Sequence, residues 1–171
     1  VRAIATGLAN LGVGPGDTVA IQLTNVREFH LVDTAALHLG ATPFSVYNTN
    51  PADLTSELLK NSDAKVAVTE EGFLPVITEA ASLAGTISHI VTIDGSGGDL
   101  SLEELEKLPA PDGFDFEASW KAVGGDAVLT LVYTSGTTGL PKGVQHTHAG
   151  LLFALDSMTL LCPISEGGRV V

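Results

Sequence analysis

Ala127-Val128-Leu129-Thr130-Leu131-Val132 runs directly into Tyr133-Thr134-Ser135-Gly136-Thr137-Thr138-Gly139-Leu140-Pro141-Lys142-Gly143-Val144. The first six residues have the length and apolar content of a buried strand. The next twelve hold three glycines, four Ser or Thr hydroxyls, one proline and one lysine. Glycine lets backbone amides converge on an anion, because no Cβ blocks close approach or positive φ. The hydroxyls of Thr134, Ser135, Thr137 and Thr138 can donate to phosphoryl oxygens or ligate a magnesium ion, and Lys142 adds a flexible full charge. β-Branched Val144 and Thr147 suit a short strand after the lysine. Residues 126–148 therefore read as strand, phosphate loop, strand.

A Gly/Ser/Thr-rich stretch between strands is commonly only a turn. Here Lys142 is the only lysine or arginine between Lys121 and Arg169, it sits beside the glycines, and Pro141 stiffens its approach. The G-x-x-x-x-G-K-[ST] phosphate loop of nucleotidases does not fit, because glycine rather than Ser or Thr follows Lys142. That disfavours a kinase or ATPase of that type. A non-catalytic α/β nucleotide-binding or interaction domain remains as an alternative.

Upstream, short apolar runs alternate with helical spacing. Val1, Ile4, Leu8 and Leu11 recur as on one helix face, and Gly12, Gly14, Pro15 and Gly16 stop the pattern. Thr18 to Thr24 reads as a buried strand. Asn25 with Glu28 three residues on has the form of a capping box opening a second helix, which ends at Gly40. Ala41 to Tyr47 is the next strand, and Asn50-Pro51-Ala52-Asp53 opens another helix, with Asn50 as cap and Pro51 in its first position. Lys65–Thr69 and His89–Ile93 read as strands around a helix over Phe73–Ala84. Ser101 caps a short helix, residues 109–125 form an internal connection packed on the surface, and Trp120 is its packing anchor. Strands separated by helices require crossovers, so the fold class is α/β: a largely parallel sheet flanked by helices. The helix after the loop, about Thr147–Leu161, is expected to bring its N-terminal dipole toward the phosphate site.

Composition narrows the partners. The 171 residues are 44% hydrophobic with mean hydropathy +0.31, which argues against disorder. A formal net charge of −12 without a basic stripe excludes nucleic acid as a partner. There is no transmembrane run and no signal peptide pattern, so a cytoplasmic location is the default and peripheral membrane association stays open. The single cysteine, Cys162, reads as a buried inert thiol, and His146 and His148 as structural histidines rather than zinc ligands. Val1 is not methionine and Arg169-Val170-Val171 reads as the opening of a strand, so both ends look cut.

The string from Tyr133 to Val144, followed by Thr147-His148, resembles the signature of the adenylate-forming (AMP-binding) superfamily of acyl-CoA synthetases, luciferases and peptide-synthetase adenylation domains. Gly40 to Thr49 and Leu58 to Lys65 are similar, more loosely, to the first part of long-chain fatty acyl-CoA synthetases. The resemblance implies that residues 1–171 are an N-terminal part of the large domain of such an enzyme. It implies that Thr134, Ser135, Gly136, Thr137, Thr138 and Gly139 cradle the β- and γ-phosphates of ATP. Lys142 would be a phosphate contact and Thr134 a contributor to the Mg2+ shell. The implied partners are a carboxylic acid, ATP and CoA. No catalytic residue is expected in this stretch, because the family's substrate, adenine and ribose motifs and its C-terminal catalytic lysine follow the phosphate loop. The isolated chain is therefore expected to be inactive.

Overall fold

Val19 and Ile21 point to one side of the strand β1 (Thr18–Gln22) and Ala20 to the other, and all three are fully buried. A strand buried on both faces belongs to the middle of a sheet covered by helices on both sides. The computed structural model describes residues 1–95, 97–134 and 141–161. Among them seven strands make one sheet in the order β5-β4-β3-β1-β2-β6-β7. The remaining strands are β2 (Thr42–Ser45), β3 (Ala64–Thr69), β4 (His89–Thr92), β5 (Leu100–Ser101), β6 (Val128–Thr134) and β7 (Lys142–Thr147). All neighbours pair in parallel except β6 and β7, which form an antiparallel hairpin.

Two apolar layers sandwich this sheet. On one face lie α1 (Arg2–Asn10), α2 (Arg27–His38) and α5 (Leu102–Leu105), which bury Ile4, Leu8, Val32 and Leu105 against Val19, Ile21, Val66 and Val68. On the other, α3 (Ala52–Ser62) and α4 (Leu74–Ala84) bury Leu58, Leu59 and Ile77 against Ala20, Ala67, Phe44 and Tyr133. The alanines in the middle of the sheet leave room on this second face for the two large rings.

Several helix ends depart from the sequence reading. Asn25 does not cap α2. Val26 occupies the N-cap in extended conformation without a side-chain bond, and Glu28 pairs with Arg27 at 2.6 Å instead of reaching back. Pro51, not Asn50, is the N-cap of α3. In both cases an aliphatic or proline residue at the junction already fixes extended φ and ψ, so the polar neighbour is not required. The expected cap at Ser101 forms, as a full capping box with Glu104, and its bonds hold the Glu104 carboxyl below the usual carboxylate range. Helix α4 starts one residue later than expected, after a 3-10 turn at Glu71–Phe73, and Gly85 closes it at φ 73°.

Gly7 is where α1 touches α5. A Cβ there would overlap the Leu105 carbonyl oxygen and lie 2.7 Å from its Cγ. Overpacking of this kind costs about 1–3 kcal/mol, more than the ~1 kcal/mol that alanine contributes as a better helix former. Gly7→Ala is therefore expected to lower the urea midpoint of the chain, and an unchanged midpoint would contradict the close approach.

Residues 109–125 include a six-residue helix, α6 (Phe116–Lys121), capped by Asp115. It is held on the α1–α2 face by Phe116 stacking on His38 at 5.3 Å, by the Arg2 guanidinium over the Phe116 ring, and by Ser119 donating to the His38 carbonyl. Trp120 is 41% exposed, lies edge-on to His38 and donates to Glu117, so its anchoring is at the surface. The last described helix, α7 (His148–Leu161), exposes Leu152, Phe153, Met158 and Leu160. Among the described residues no helix is long and apolar enough to cross a membrane. Cys162 lies outside the described residues.

Candidate functional site

Strand β6 runs parallel to β2, so its last residue, Thr134, reaches the carboxyl edge of the sheet together with the ends of β1, β2 and β3. In open α/β sheets ligands bind outside this edge. Thr134 pairs in register with Lys142, the first residue of β7, and both are exposed. Directly opposed residues of a ladder share a face. The hydroxyl and the ammonium therefore rise from the same side of the hairpin, flanking the loop between them. Of the sequence candidates, the structure brings together Thr134 and Lys142. Ser135, Gly136, Thr137, Thr138 and Gly139 lie outside the described residues.

The base of the hairpin is fixed from the other side. Tyr133, one residue before Thr134, points toward α3 and is 6% exposed. Its ring sits 5.5 Å from that of Phe44, and its hydroxyl donates to Asn61 Oδ1 at 2.9 Å and approaches the Leu58 carbonyl at 3.4 Å. Burial pushes the phenol above its ordinary range. Gly143, the register partner of Tyr133, has the ring directly above it, and a Cβ there would come within 3.2 Å of Cε1 and Cζ. Thr42 and Thr130 add side-chain bonds across the β2–β6 seam, to the carbonyls of Val128 and Pro43.

Charge is unevenly spread along this edge. On the β3–β4 side Glu70 accepts from Thr24 and the Glu71 amide donates to Asp94, an acidic neighbourhood that repels a polyanion. At the hairpin side stands Lys142, and Lys60 lines a crevice of about 270 Å³ with Glu57, Leu58, Asn61 and Pro141. Lys60 pairs with Glu57 at 2.9 Å. Between these regions an open cleft of about 300 Å³ at the ends of β1 and β2 is walled by Phe29, His30, Tyr47 and Asn48. Buried Gln22 donates weakly to the Tyr47 carbonyl at 3.5 Å, and its Oε1 has no partner among the described residues.

The expected dipole of α7 does not reach this site. The amides of His148 and Ala149 donate to Ala127 and Gly125, which places the start of α7 beside the start of β6, at the opposite end of the hairpin from Lys142. Six strand residues separate the two, roughly 20 Å of extended chain. His146 is exposed on β7 and His148 half-buried. Among the described residues no group of three or more His, Cys, Asp or Glu could hold a metal ion. Thr134 offers one hard oxygen of the kind Mg2+ takes beside waters and phosphate oxygens, whereas the Lys142 ammonium is a donor to phosphate and no metal ligand.

Tyr133, Lys60 and Asn61 fall within the resembling stretches, but the sequence assigned them no role. The partners of Tyr133 lie 72 and 75 residues away, and no local pattern signals such a pair.

Comparison with known proteins places the chain among relatives. The family model described as AMP-binding enzyme matches residues 1–170. The long-chain-fatty-acid–CoA ligase FadD15 of Mycobacterium bovis is 34% identical over 175 residues, covering 100% of this chain and 29% of that protein. The acetyl-coenzyme A synthetase of Streptomyces coelicolor is 30% identical over 164 residues, covering 89% of this chain and 25% of the relative. A solved Mycobacterium tuberculosis fatty acyl CoA synthetase superposes with TM-score 0.67 at 33% identity, over 86% of this chain and 27% of that one. The chain thus spans between a quarter and three tenths of the length of these three relatives.

Proposed function

Because this chain belongs to the family of AMP-binding enzymes, we propose that it is the N-terminal part of the large domain of an acyl-CoA synthetase and carries the grip on the ATP polyphosphate. The observation that carries this reading is the register pair Thr134–Lys142 at the mouth of a hairpin, on the less acidic side of the carboxyl edge. In the reading, Thr134, Ser135, Gly136, Thr137, Thr138 and Gly139 cradle the β- and γ-phosphates and Lys142 offsets their charge. Mg2+ bound to the nucleotide neutralises further charge, with the Thr134 hydroxyl as one candidate ligand.

The reaction class follows from the family, and the grip fits it. A carboxylate oxygen attacks the α-phosphorus of ATP, and the bond to the bridging oxygen breaks. Pyrophosphate leaves with the electron pair, giving an acyl-adenylate. A CoA thiolate then attacks the acyl carbon and AMP departs. Groups that hold the β- and γ-phosphates act on the first step by stabilising the charge that accumulates on the leaving pyrophosphate. The names of the relatives include both fatty-acid and acetate activators; the looser likeness of Gly40–Thr49 and Leu58–Lys65 to long-chain enzymes supports a fatty acid as the carboxylate, and a cytoplasmic enzyme would find both ATP and CoA at hand.

Isotope exchange between pyrophosphate and ATP tests the reading. A protein of the relatives' length that carries this chain is expected to exchange label only when a fatty acid is present, whereas residues 1–171 alone are expected to show none. Exchange without any carboxylic acid would refute the adenylation reading. Fatty-acid-dependent exchange by the 171-residue chain would refute the view that the remaining machinery lies elsewhere.

A further inference from the structure

We infer that Tyr133 and Asn61 form a latch that sets the mouth of the phosphate loop, which makes both positioning residues for the polyphosphate of ATP; the role in ATP use rests on the reading just proposed. The last turn of α3 is bonded to the β6 arm of the hairpin and, across a crevice, faces Pro141 just before the β7 arm. Asn61 accepts the Tyr133 hydroxyl at 2.9 Å from the β6 arm. Together with Leu58 and Lys60 it lines the crevice against Pro141, which precedes Lys142 on the β7 arm.

Tyr133 and Gly143 are the register pair immediately inside Thr134 and Lys142. The ring lies close on Gly143, where a Cβ would sit only 3.2 Å from Cε1 and Cζ, so the two arms cannot slide past one another without losing that contact. Lifting the hairpin from α3 breaks the phenol bond. The Thr134 hydroxyl and the Lys142 ammonium, one residue further on, take their placement from this pair.

The hydroxyl itself marks the difference between packing and placement. A phenylalanine ring would fill the same space against Phe44, whereas a buried phenol is costly unless an acceptor meets it. Asn61 is an exposed residue of α3, so its amide is not needed for the core. Its oxygen gives the hairpin one direction of attachment.

The test uses Tyr133→Phe, Asn61→Leu and the double variant in a protein of the relatives' length. Each single change is expected to raise KM for Mg-ATP in the exchange reaction roughly three- to ten-fold, the worth of one neutral hydrogen bond. KM for the acid and kcat should stay within about two-fold, and the double variant should match the larger single effect, because both changes remove one bond. A purely structural role would lower the melting temperature and leave KM for Mg-ATP unmoved, which overturns the inference. Additive single effects would also overturn it.

Hydrogen exchange in the same proteins judges the latch independently of activity. Both variants should speed exchange in peptides covering 128–134 and 142–147 while leaving β1 and β3 unchanged. If the unmodified protein exchanges no pyrophosphate, the proposed function and the ATP role fail together. Unchanged protection of the hairpin would reject the latch in either case.

Discussion

Phe44→Ala is expected to remove about 3–5 kcal/mol of folding stability, the usual cost of deleting a buried aromatic side chain whose surroundings relax only in part. Phe44 is 1% exposed and belongs to β2, at the seam where the parallel core meets the hairpin. The single parallel register pair between β2 and β6 is Phe44 with Leu131, and the ring packs on that of Tyr133. The cavity would therefore open under the element that carries Thr134 and Lys142. Urea unfolding of the 171-residue chain and of Phe44→Ala measures the difference. A loss below about 1.5 kcal/mol, the range of volume-conserving core changes, would mean that the seam is held by other contacts.

Lys142→Ala, in a protein of the relatives' length, is expected to lower kcat/KM for ATP roughly ten- to 150-fold. This corresponds to the loss of a charged hydrogen bond worth about 1.5–3 kcal/mol. The side chain is exposed, so the change should leave the melting temperature almost unaltered, separating it from Phe44→Ala. Because an exposed charge is screened, the deficit should shrink as ionic strength rises through the range where the Debye length falls below about 10 Å. Lys142→Arg should recover part of the rate, since the charge remains while the geometry of a compact ammonium is lost. An unchanged kcat/KM for Lys142→Ala would show that loop amides and magnesium suffice to hold the polyphosphate.

The parts of the fold legible beforehand are those governed by local composition. β1, β3 and β4 are short apolar runs each preceded by aspartate or serine, and they appear within one or two residues of their expected limits. The two-residue strand β5 went unread because Leu100–Ser101 is too short to show a period, and it exists only by pairing with Val91 and Thr92. Cap chemistry was legible at Ser101 and misleading at Asn25 and Asn50, where the backbone of the next residue supplied the extended conformation. At the candidate site, the strand–loop–strand reading anticipated that Thr134 and Lys142 stand at the two ends of one loop, and they are opposed in the ladder. The direction of α7 could not be anticipated, since it depends on β7 carrying the chain the full length of the ladder away from the loop. The Tyr133–Asn61 contact is invisible in a linear reading because it depends on α3 and β6 packing on the same sheet face.

The return of β6 to the side of β2 also bears on synthesis. Thr42 and its partner Val128 are 86 residues apart, so at about 5–20 residues per second the open edge of β2 waits roughly 4–17 s for its neighbour to leave the ribosome. β1, β2 and β3 can meanwhile assemble as sequence-local crossover units, leaving β2 as a temporary border strand. Pro43, in the middle of that strand, has no amide proton to offer a stray chain. A residue that looks unfavourable in the interior of the finished sheet thus guards the nascent one against mispairing.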